Sequence, residues 1–471
     1  MIVMKFGGTS TQDAEAISNV VGIIRKHQDR KPVVVISAIA QATNMLEKAG
    51  SLAAAGKAGE AHDALLSLFE RHYTIVDRLM KDRQRHAELR KIIAQSLSEV
   101  EELIRGISIL HELTPRTLDS LYSYGELLSS RMVAGALQEM GVASEWIDSK
   151  EFMLTDDTYN AASPLMPAIE ERLPGIVSPL CAAGGVPVTQ GFIGVTSSGF
   201  RTTMGRESSD FSASIIGCAL HADDIQIWTD VDGVLTADPR IVDGPRKIRA
   251  LSFEEAYELS YFGAKVLHPK TMLPAVEMNI PIHIYNSRRP DRSGTHVSSS
   301  MVSSEPMVKS VAYKRNLVVV TVAPKRRIHQ YVLWEHIQSV LTRYNVSASL
   351  TVTSEYSYAF VLDETNPVDS IVAGLGDVGS VSVFPGKAII CLVGSRMRES
   401  TNILGRLFHS LAGYKVELIS YGASPSNISL VVDDAAVPEL VRKVHAEFFD
   451  AETHEDLFEK LEIESDPLSV S

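Results

Sequence analysis

A repeat of about 70 residues near the C-terminal end restricts the possible fold more than any other feature of this chain. A shift of 70 residues, without gaps, aligns residues 318–320 with 388–390 and residues 360–363 with 430–433. Each copy reads strand, helix, strand, strand, helix, and the first copy adds a sixth strand-like segment. This order predicts the βαββαβ pattern of a ferredoxin-like unit. We therefore expect two modules that share one fold.

The second copy lacks a sixth strand, because only acidic helical sequence follows its last helix. We expect the missing strand to come from residues 308–313, ahead of the first copy. Residues 286–310 are polar and contain many structure breakers, which indicates a domain boundary. The expected organisation is a first domain at 1–286, a linker with the possible donated strand at 287–316, modules at 317–385 and 386–455, and an acidic tail at 456–471.

The first domain alternates strand-like and helical segments. The strand-like runs include 33–37, 186–191 and 224–229, and apolar stretches such as 33–36 are expected for parallel strands that are covered on both faces. Residues 44–107 are rich in Ala, Leu, Glu, Lys and Arg, which favours a helical layer. The pattern predicts an α/β sandwich of three layers around a mainly parallel sheet.

Composition excludes several classes of partner. A chain of 471 residues with 45% apolar and 22% charged residues is typical of globular protein with more than one domain. A formal charge of −13 argues against nucleic acid and anionic membranes, which both require a basic face. We expect a cytoplasmic protein, since no apolar run approaches ~20 residues and no leader pattern precedes the first strand. Cys181, Cys218 and Cys391 lack metal-ligand spacing, so buried thiols and no protein-held metal are expected.

The N-terminus leads from an apolar strand directly into Lys5-Phe6-Gly7-Gly8-Thr9-Ser10. Glycines at this turn would let backbone N–H groups approach an anion, and the lysine adds a positive charge. The following helix, expected at 13–28, would add the positive end of its dipole. A tight strand-to-helix connection is the alternative, because the motif is neither of the common glycine-rich phosphate loops.

Four further motifs occur downstream in a fixed order. They are Gly-Arg-Glu-Ser-Ser-Asp at 205–210, Trp-Thr-Asp-Val-Asp-Gly-Val at 228–234, Asp-Pro-Arg at 238–240 and Phe-Gly-Ala-Lys-Val-Leu-His-Pro at 262–269. With the N-terminal motif they resemble the aspartate kinases of the amino acid kinase family over nearly the whole chain, and the repeats resemble the tandem ACT modules of that family. The resemblance implies ATP-dependent phosphorylation of the β-carboxylate of L-aspartate, the first step towards lysine, threonine and methionine.

The chemistry of that reaction indicates which groups the site needs. The β-carboxylate, with a reference pKa of about 3.9, is already ionised and needs no general base. The site must instead hold two anions together, which requires cations and oriented donors. The resemblance implies that Lys5 stabilises the transferring phosphoryl group, that Lys265 holds the nucleotide phosphates, and that Asp210 orients the lysines or a water on the Mg²⁺ that enters with ATP. The phosphate-binding residues would be Gly7, Gly8 and Ser209.

Two charged residues are suited to a free amino acid. The planar guanidinium of Arg206 can clamp an α-carboxylate, and Glu126 can accept from an α-ammonium. Thr43 resembles the substrate-contacting threonine of the family. The alternatives are a structural ion pair for the charged residues and a helix N-cap for Thr43, as also for Ser209 and Asp210. The family often has Gly-Gly where this chain has Glu207 and Ser208, so bulk and charge differ there.

A third group of residues follows the expected strand at 224–228, at the sheet edge where open α/β sheets bind ligands. The resemblance implies that this segment holds the adenosine and the phosphates, and its residues are Thr229, Asp230, Asp238, Arg240 and Lys265. The Asp232-Gly233 pair is also typical of a hairpin turn, which is compatible with binding.

The repeats imply an amino-acid effector and self-association. Ser354, Glu355 and Asn427 are the expected effector contacts, and a homodimer or larger homo-oligomer is expected through the repeats. Ser349 stands where lysine-inhibited members carry an aspartate, so lysine is no better supported than threonine. An unregulated enzyme remains an alternative.

Two other functions compete with the leading one. A different member of the amino acid kinase fold could act on glutamate, N-acetylglutamate or a nucleoside monophosphate, but Glu126 and Arg206 favour a free amino acid. A silent amino-acid sensor would be expected to lose part of the set Lys5, Asp210 and Lys265, which is intact here. No dehydrogenase segment follows the repeats, so we expect no fused second enzyme.

Overall fold

The computed structural model describes residues 1–205, 208–263, 269–300, 305–325, 329–450 and 456–460. The strands are β1 (Ile2–Phe6), β2 (Pro32–Ile36), β3 (Ser144–Trp146), β4 (Val186–Gln190), β5 (Ile193–Val195), β6 (Arg201–Thr203), β7 (Asp224–Thr229), β8 (Arg246–Ile248), β9 (Ala250–Leu251), β10 (Ile282–Asn286), β11 (Thr295–Val297), β12 (Met307–Pro324), β13 (Leu350–Thr353), β14 (Tyr358–Asp363), β15 (Gly379–Ser395), β16 (Val416–Tyr421), β17 (Asn427–Asp433) and β18 (Phe458–Lys460). The helices are α1 (Ala14–Lys26), α2 (Ala42–Ala54), α3 (Ala58–Leu79), α4 (Arg83–Leu110), α5 (Pro115–Glu139), α6 (Met166–Ala182), α7 (Ser209–Ala219), α8 (Phe253–Tyr261), α9 (Pro269–Glu277), α10 (Gln330–Arg343), α11 (Val368–Leu375), α12 (Thr401–Ser410) and α13 (Val437–Phe449).

The chain divides into two compact units. The first unit comprises Met1–Val234 and Val266–Ser300, and the second comprises Leu235–Lys265 and Met301–Ser471. The sequence analysis assigned all of 1–286 to one domain, whereas Leu235–Lys265 groups with the C-terminal part. The reason is strand pairing over a long sequence distance, because β8 forms a two-stranded sheet with β18 near the end of the chain.

The first unit contains a sheet in the order β3-β4-β2-β1-β7-β10-β11. All neighbouring strands pair in parallel except β10 and β11. The central strand β1 is buried along its whole length, as its apolar sequence predicts. In register, Phe6 at the end of β1 lies opposite Ile36 of β2 and Trp228 of β7. The carboxyl ends of these three strands therefore bring Lys5, Ser37 and Thr229 to one edge of the sheet.

Helices cover both faces of this sheet. The long α5 contacts β2, β3 and β4, while α7 contacts β1, β2 and β7. Helices α2, α3 and α4 pack on one another and on α5, and together they form the helical layer expected between residues 44 and 107. Thr114 caps the N-terminus of α5 and Pro115 occupies its first turn, which fixes where this helix begins. The predicted α/β class, with three layers and a mainly parallel sheet, is confirmed.

The second unit contains a six-stranded antiparallel sheet in the order β13-β14-β12-β15-β17-β16. Its two central strands are long, with 18 residues in β12 and 17 in β15. The second half of β12 pairs with β14 and with the first half of β15, and the first half of β12 pairs with the second half of β15. Residues 308–313 thus supply an edge to the strands β15, β17 and β16 of the second module.

No helix among the described residues is long and apolar enough to cross a membrane. The three cysteine thiols are free and buried.

Candidate functional site

A buried ion pair lies at the carboxyl end of the central strand. The ammonium nitrogen of Lys5 is 2.6 Å from Oδ1 of Asp210, and the two side chains are only 11% and 15% exposed. Lys5 is placed by β1, while Asp210 lies in the first turn of α7. The N-terminus of a helix also favours negative charge. The carboxylate therefore fixes a lysine ammonium at the sheet edge where a ligand would bind.

A second buried carboxylate, Glu126, lies on α5 with 2% of the residue exposed. Its Oε1 accepts the backbone N–H of Ala38 at 3.1 Å. Its Oε2 has no hydrogen-bond partner among the residues that the structure describes. Burial raises the pKa of Glu126 to about 8, although the Ala38 N–H and the charge of Lys5 act in the opposite direction. One oxygen is thus held in place and the other is available to a cationic donor.

Two glycines allow the loop after β2 to approach this carboxylate. A Cβ on Gly8 would lie 2.8 Å from the carbonyl oxygen of Ala38, and a Cβ on Gly125 would lie 2.8 Å from the Cβ of the same alanine. Both distances are shorter than side-chain carbons tolerate. The glycine turn after β1 and the middle of α5 therefore both clamp Ala38, which orients Glu126.

Serines connect the three elements at the sheet edge. The hydroxyl of Ser129 donates to the carbonyl oxygen of Ser37 at 2.7 Å, and the hydroxyl of Ser209 donates to the Ser37 hydroxyl at 3.1 Å. The sequence analysis included Ser209 and missed Ser37 and Ser129. The available signal was position, since Ser37 ends an apolar strand and Ser129 lies one turn after Glu126.

The glycine turn differs in detail from the expected anion cradle. The Gly7 N–H donates to the carbonyl oxygen of Trp228 at 3.1 Å, so it joins β1 to β7 and is already bonded. Residues Gly8–Thr11 form a short 3₁₀ helix after this turn. An anion at this position would therefore rely on Gly8 and Lys5, and not on the Gly7 N–H as the sequence analysis expected.

Helix capping does not explain the other candidate residues. The N-cap position of α2 is Gln41, with φ of 68°, and Thr43 lies inside the first turn. The N-cap position of α7 is Ser208, so Ser209 and Asp210 are both within that helix. Their side chains are free of the capping function that was the alternative interpretation of each.

The loop after β7 is held by its own hydrogen bonds. Thr229 ends the strand, and its hydroxyl donates to the carboxylate of Asp230 at 3.2 Å. Asp232 accepts from the side-chain amide of Asn286 at 2.7 Å and pairs with the guanidinium of Arg289 at 2.7 Å. The turn between Asp230 and Gly233 is therefore fixed within the first unit.

Asp238 and Arg240 lie in the second unit and pair with each other. Arg240 contacts the carboxylate through Nε at 3.0 Å and through a terminal nitrogen at 2.7 Å, and the Tyr313 hydroxyl donates to it at 2.6 Å. These bonds, that of Arg240 foremost, lower the pKa of Asp238 to about 2. The Arg240 side chain is otherwise mostly exposed.

A buried aspartate holds the strand that leads to residue 206. Asp119 of α5 is fully buried and accepts the Thr203 N–H at 3.0 Å, the Thr203 hydroxyl at 2.5 Å and the Asn160 N–H at 3.0 Å. Burial raises the pKa of Asp119, while the hydrogen bonds act against that increase. The sequence analysis missed this residue. Arg206, Glu207 and Lys265 lie outside the described residues.

The expected effector contacts serve local roles in the second unit. The Ser354 hydroxyl accepts the Ser357 N–H at 3.1 Å within an exposed turn, where Glu355 is also exposed. The Asn427 amide donates to the carboxylate of Glu258 at 2.5 Å. Ser354 thus stabilises its own turn, and Asn427 joins β17 to α8.

A lysine ammonium lies beside Ser349. The Nζ atom of Lys314 is 2.9 Å from the Ser349 hydroxyl oxygen and 3.0 Å from a carboxylate oxygen of Asp363. A positive charge, paired with Asp363, therefore lies beside Ser349, the position for which the resemblance implied an aspartate in lysine-inhibited members.

Comparisons with known proteins agree with this geometry. The amino acid kinase family matches residues 1–286, and an ACT domain matches residues 390–448. Aspartokinase 2, chloroplastic, from Arabidopsis thaliana is 35% identical, over 96% of this chain and 84% of its own length. Lysine-sensitive aspartokinase 3 from Escherichia coli is 32% identical, over 96% of this chain and 99% of its own length. The crystal structure of E. coli aspartokinase III in complex with aspartate and ADP matches with a TM-score of 0.84 and 32% identity, and covers 95% of this chain and 100% of that one.

Proposed function

The chain belongs to the amino acid kinase family, in its aspartokinase group, and from this premise we propose how its residues carry out the reaction. The reaction is the ATP-dependent phosphorylation of the β-carboxylate of L-aspartate, which gives β-aspartyl phosphate. The observation that carries the assignment of roles is a pair of buried ionisable groups: an oriented ammonium on Lys5 and a carboxyl group on Glu126 with one oxygen that has no partner among the described residues.

Glu126 binds the α-ammonium of aspartate in this proposal. Its free Oε2 is suited to accept from an ammonium, and the ion pair would offset the cost of burying the carboxylate. Aspartate also carries an α-carboxylate, for which we propose Arg206, and Thr43 completes the substrate contacts. The β-carboxylate is then directed towards Lys5.

Lys5 stabilises the negative charge of the transferring phosphoryl group. The Asp210 carboxylate fixes the position of the Lys5 ammonium, so little reorganisation is needed during the reaction. Asp210 does not act as a base, because the nucleophile is already an anion. Gly8 and Ser209 provide donors at the same edge, and Lys265 holds the nucleotide phosphates.

The nucleotide contacts proposed in the first unit are Thr229 and Asp230, and Asp238 and Arg240 in the second unit complete the proposed set. The described residues contain no group of three or more His, Cys, Asp or Glu side chains suited to hold a metal. We propose that Mg²⁺ enters with ATP, where it neutralises phosphate charge, and that Asp210 is the carboxylate available to its water shell.

The experiment that tests this assignment measures phosphoryl transfer by trapping the acyl phosphate as a hydroxamate. Aspartate should be the best acceptor, since only it presents an ammonium, an α-carboxylate and a β-carboxylate in this arrangement. N-acetylaspartate lacks the ammonium and should lose most of the rate per molar, and glutamate tests the chain length. Equal rates with aspartate and N-acetylaspartate would remove Glu126 from the site.

We also propose feedback inhibition by an end-product amino acid that binds to the repeats. The E. coli relative is lysine-sensitive by name. Lys314 beside Ser349 is paired with Asp363, so the local charge is balanced and does not choose between lysine and threonine for this chain. Activity should be titrated with lysine and threonine, singly and together. Flat responses to both would exclude regulation by either, and a response to one alone would identify the effector.

Self-association through the second unit is proposed from exposed apolar side chains on its sheet. Val383 and Phe384 of β15 and Ile419 of β16 are each about 40% exposed. Light scattering should show at least a homodimer, and Phe384→Asp with Ile419→Asp should weaken it, whereas a monomeric parent chain would exclude the proposal. The free, buried cysteines support a cytoplasmic location, which cell fractionation would test.

A further inference from the structure

A cavity in the first unit lies apart from the site described above. Its volume is about 640 Å³, within the range of about 300–1,000 Å³ that small-molecule sites occupy. Residues of α4 and α5 form two of its walls, and residues near β3 and β6 close it. None of its lining residues belongs to the set Lys5, Glu126 and Asp210.

Arg131 is a cation that lines this cavity without a carboxylate partner in an ion pair among the described residues. Its guanidinium stacks over the indole ring of Trp146 at 3.6 Å from the ring centroid. Its hydrogen bond to the Leu127 carbonyl oxygen is long, at 3.4 Å. No carboxylate among the described residues forms an ion pair with it. Burial lowers the pKa of Arg131, and the charges of Asp148 and Glu99 act in the opposite direction without reversing the shift.

The neighbouring Arg201 shows what a structural arginine looks like in the same cavity. Its two terminal nitrogens contact the two carboxylate oxygens of Asp148 at 3.1 and 2.8 Å. This bidentate pair satisfies both charges. Because both oxygens of Asp148 are bonded to Arg201, Asp148 acts on Arg131 only through its charge, and the planar fork of Arg131 remains suited to a carboxylate from outside the chain.

The α4 wall carries the opposite charge. Glu99 and Glu102 lie one turn apart on α4 and both line the cavity. Glu99 accepts the Tyr124 hydroxyl at 2.9 Å and the Gln95 amide at 3.0 Å, which holds it in place. The lining thus combines an anionic wall on α4 with a cationic residue on α5.

We propose that this cavity binds a small zwitterion of the α-amino acid class, with its carboxylate on the Arg131 guanidinium and its ammonium towards Glu99 and Glu102. The site is separate from the aspartate site. It is linked to that site through α5, because Leu127, which lines the cavity, directly follows Glu126.

The test uses the full chain labelled with 5-fluorotryptophan. The chain has three tryptophans, so the fluorine spectrum has three resonances, which Trp→Phe variants assign. Each L-amino acid other than aspartate is added in turn, and its decarboxylated amine serves as the probe control. A ligand in this cavity should shift the Trp146 resonance, whereas one bound to the repeats would shift Trp334 of α10. The amines should leave Trp146 unchanged.

Calorimetry then compares two arginine variants for the amino acid that shifts Trp146. Arg131→Met should weaken binding about tenfold or more, the scale of losing a charged hydrogen-bonded pair. Arg116→Met is the matched control, because Arg116 also stacks on an aromatic ring, that of Phe200 at 4.9 Å, but does not line the cavity. It should bind as the parent chain does. The proposal is overturned if no amino acid shifts Trp146, a result that does not depend on whether a variant folds, or if both variants bind equally well.

Discussion

The backbone N–H of Ala38 donates to Oε1 of Glu126 over 3.1 Å, although 88 positions separate the two residues in the chain. The donor belongs to the main chain, so its position is fixed by the fold and orients the Glu126 carboxyl group. The second oxygen has no hydrogen-bond partner among the described residues, and burial raises the pKa of the group to about 8. The binding of aspartate should therefore depend on the protonation of one residue.

The first prediction concerns the pH dependence of aspartate use. Since Glu126 must be ionised to receive the α-ammonium, kcat/KM for aspartate should rise with pH and level off above the pKa of about 8. Steady-state rates between about pH 6.5 and 9 would show this. In Glu126→Gln the inflection should disappear and KM should increase. A flat profile in the parent chain would contradict the assignment.

The second prediction concerns stability. The carboxyl of Glu126 has a raised pKa in the folded state, so the folded state holds its proton more tightly than the unfolded state does. This contribution to stability is complete below about pH 4.5 and is lost as pH rises to about 8. Glu126→Gln, which cannot ionise, should gain Tm relative to the parent chain as pH increases from 5 to 8. A Tm difference that does not change with pH would argue against a buried, protonated Glu126.

The third prediction separates catalysis from binding. Lys5→Met should lower kcat by about 10²-fold or more and change aspartate binding little, because the ammonium acts on the transferring phosphoryl group. Lys26→Met is the control, since Lys26 also pairs with an aspartate, Asp291, but is 60% exposed. Its kinetics should match those of the parent chain. Unchanged turnover in Lys5→Met would remove Lys5 from the catalytic residues.

The fourth prediction tests the close approach at the glycine turn. Gly8→Ala places a Cβ 2.8 Å from the Ala38 carbonyl oxygen and should reduce the free energy of unfolding by about 1–3 kcal/mol. Gly22→Ala, in the middle of α1, meets nothing within 4 Å and should increase it by about 0.5–1 kcal/mol. Urea titrations measure both values. Opposite signs are expected, and equal small effects would mean that the turn can relax.

The fifth prediction concerns Asp119. Asp119→Ala removes the acceptor for the buried Thr203 donors and the partly buried Asn160 N–H, and should lower the free energy of unfolding by about 2–4 kcal/mol. Asp156→Ala is the control, because Asp156 also accepts two backbone N–H groups, but in an exposed turn. It should cost less than about 1 kcal/mol. Similar losses in the two variants would show that burial of Asp119 is unimportant.

The sequence predicted those parts of the fold whose causes are local. Apolar runs such as 33–37 became buried parallel strands, and the 70-residue repeat became two similar modules. Hydrogen bonds from a backbone N–H to a residue far along the chain were not predictable, because the donor does not depend on the type of its side chain. The bond from Ala38 to Glu126 and that from Gly7 to Trp228 are of this kind.

The grouping of Leu235–Lys265 with the second unit was also beyond the sequence. The short strand β8 has no repeat or motif, and its partner β18 lies more than 200 residues away. Ser37 and Ser129 were missed because serine is common on surfaces and in helices, and only the folded chain shows that the Ser129 hydroxyl donates to the Ser37 carbonyl oxygen.

The two long strands of the second unit set an order for its synthesis. The first module is a continuous stretch that ends within β15, whereas the second module needs the first half of β12 and everything from the second half of β15 to α13. The first module is thus inserted into the second, and a ribosome completes it about 60 residues earlier. The second half of β15 pairs with the first half of β12 and leaves its other edge unpaired until β17 is made, a state that favours pairing with another nascent chain. We therefore expect the speed of translation between residues 396 and 433 to set how long this edge is exposed.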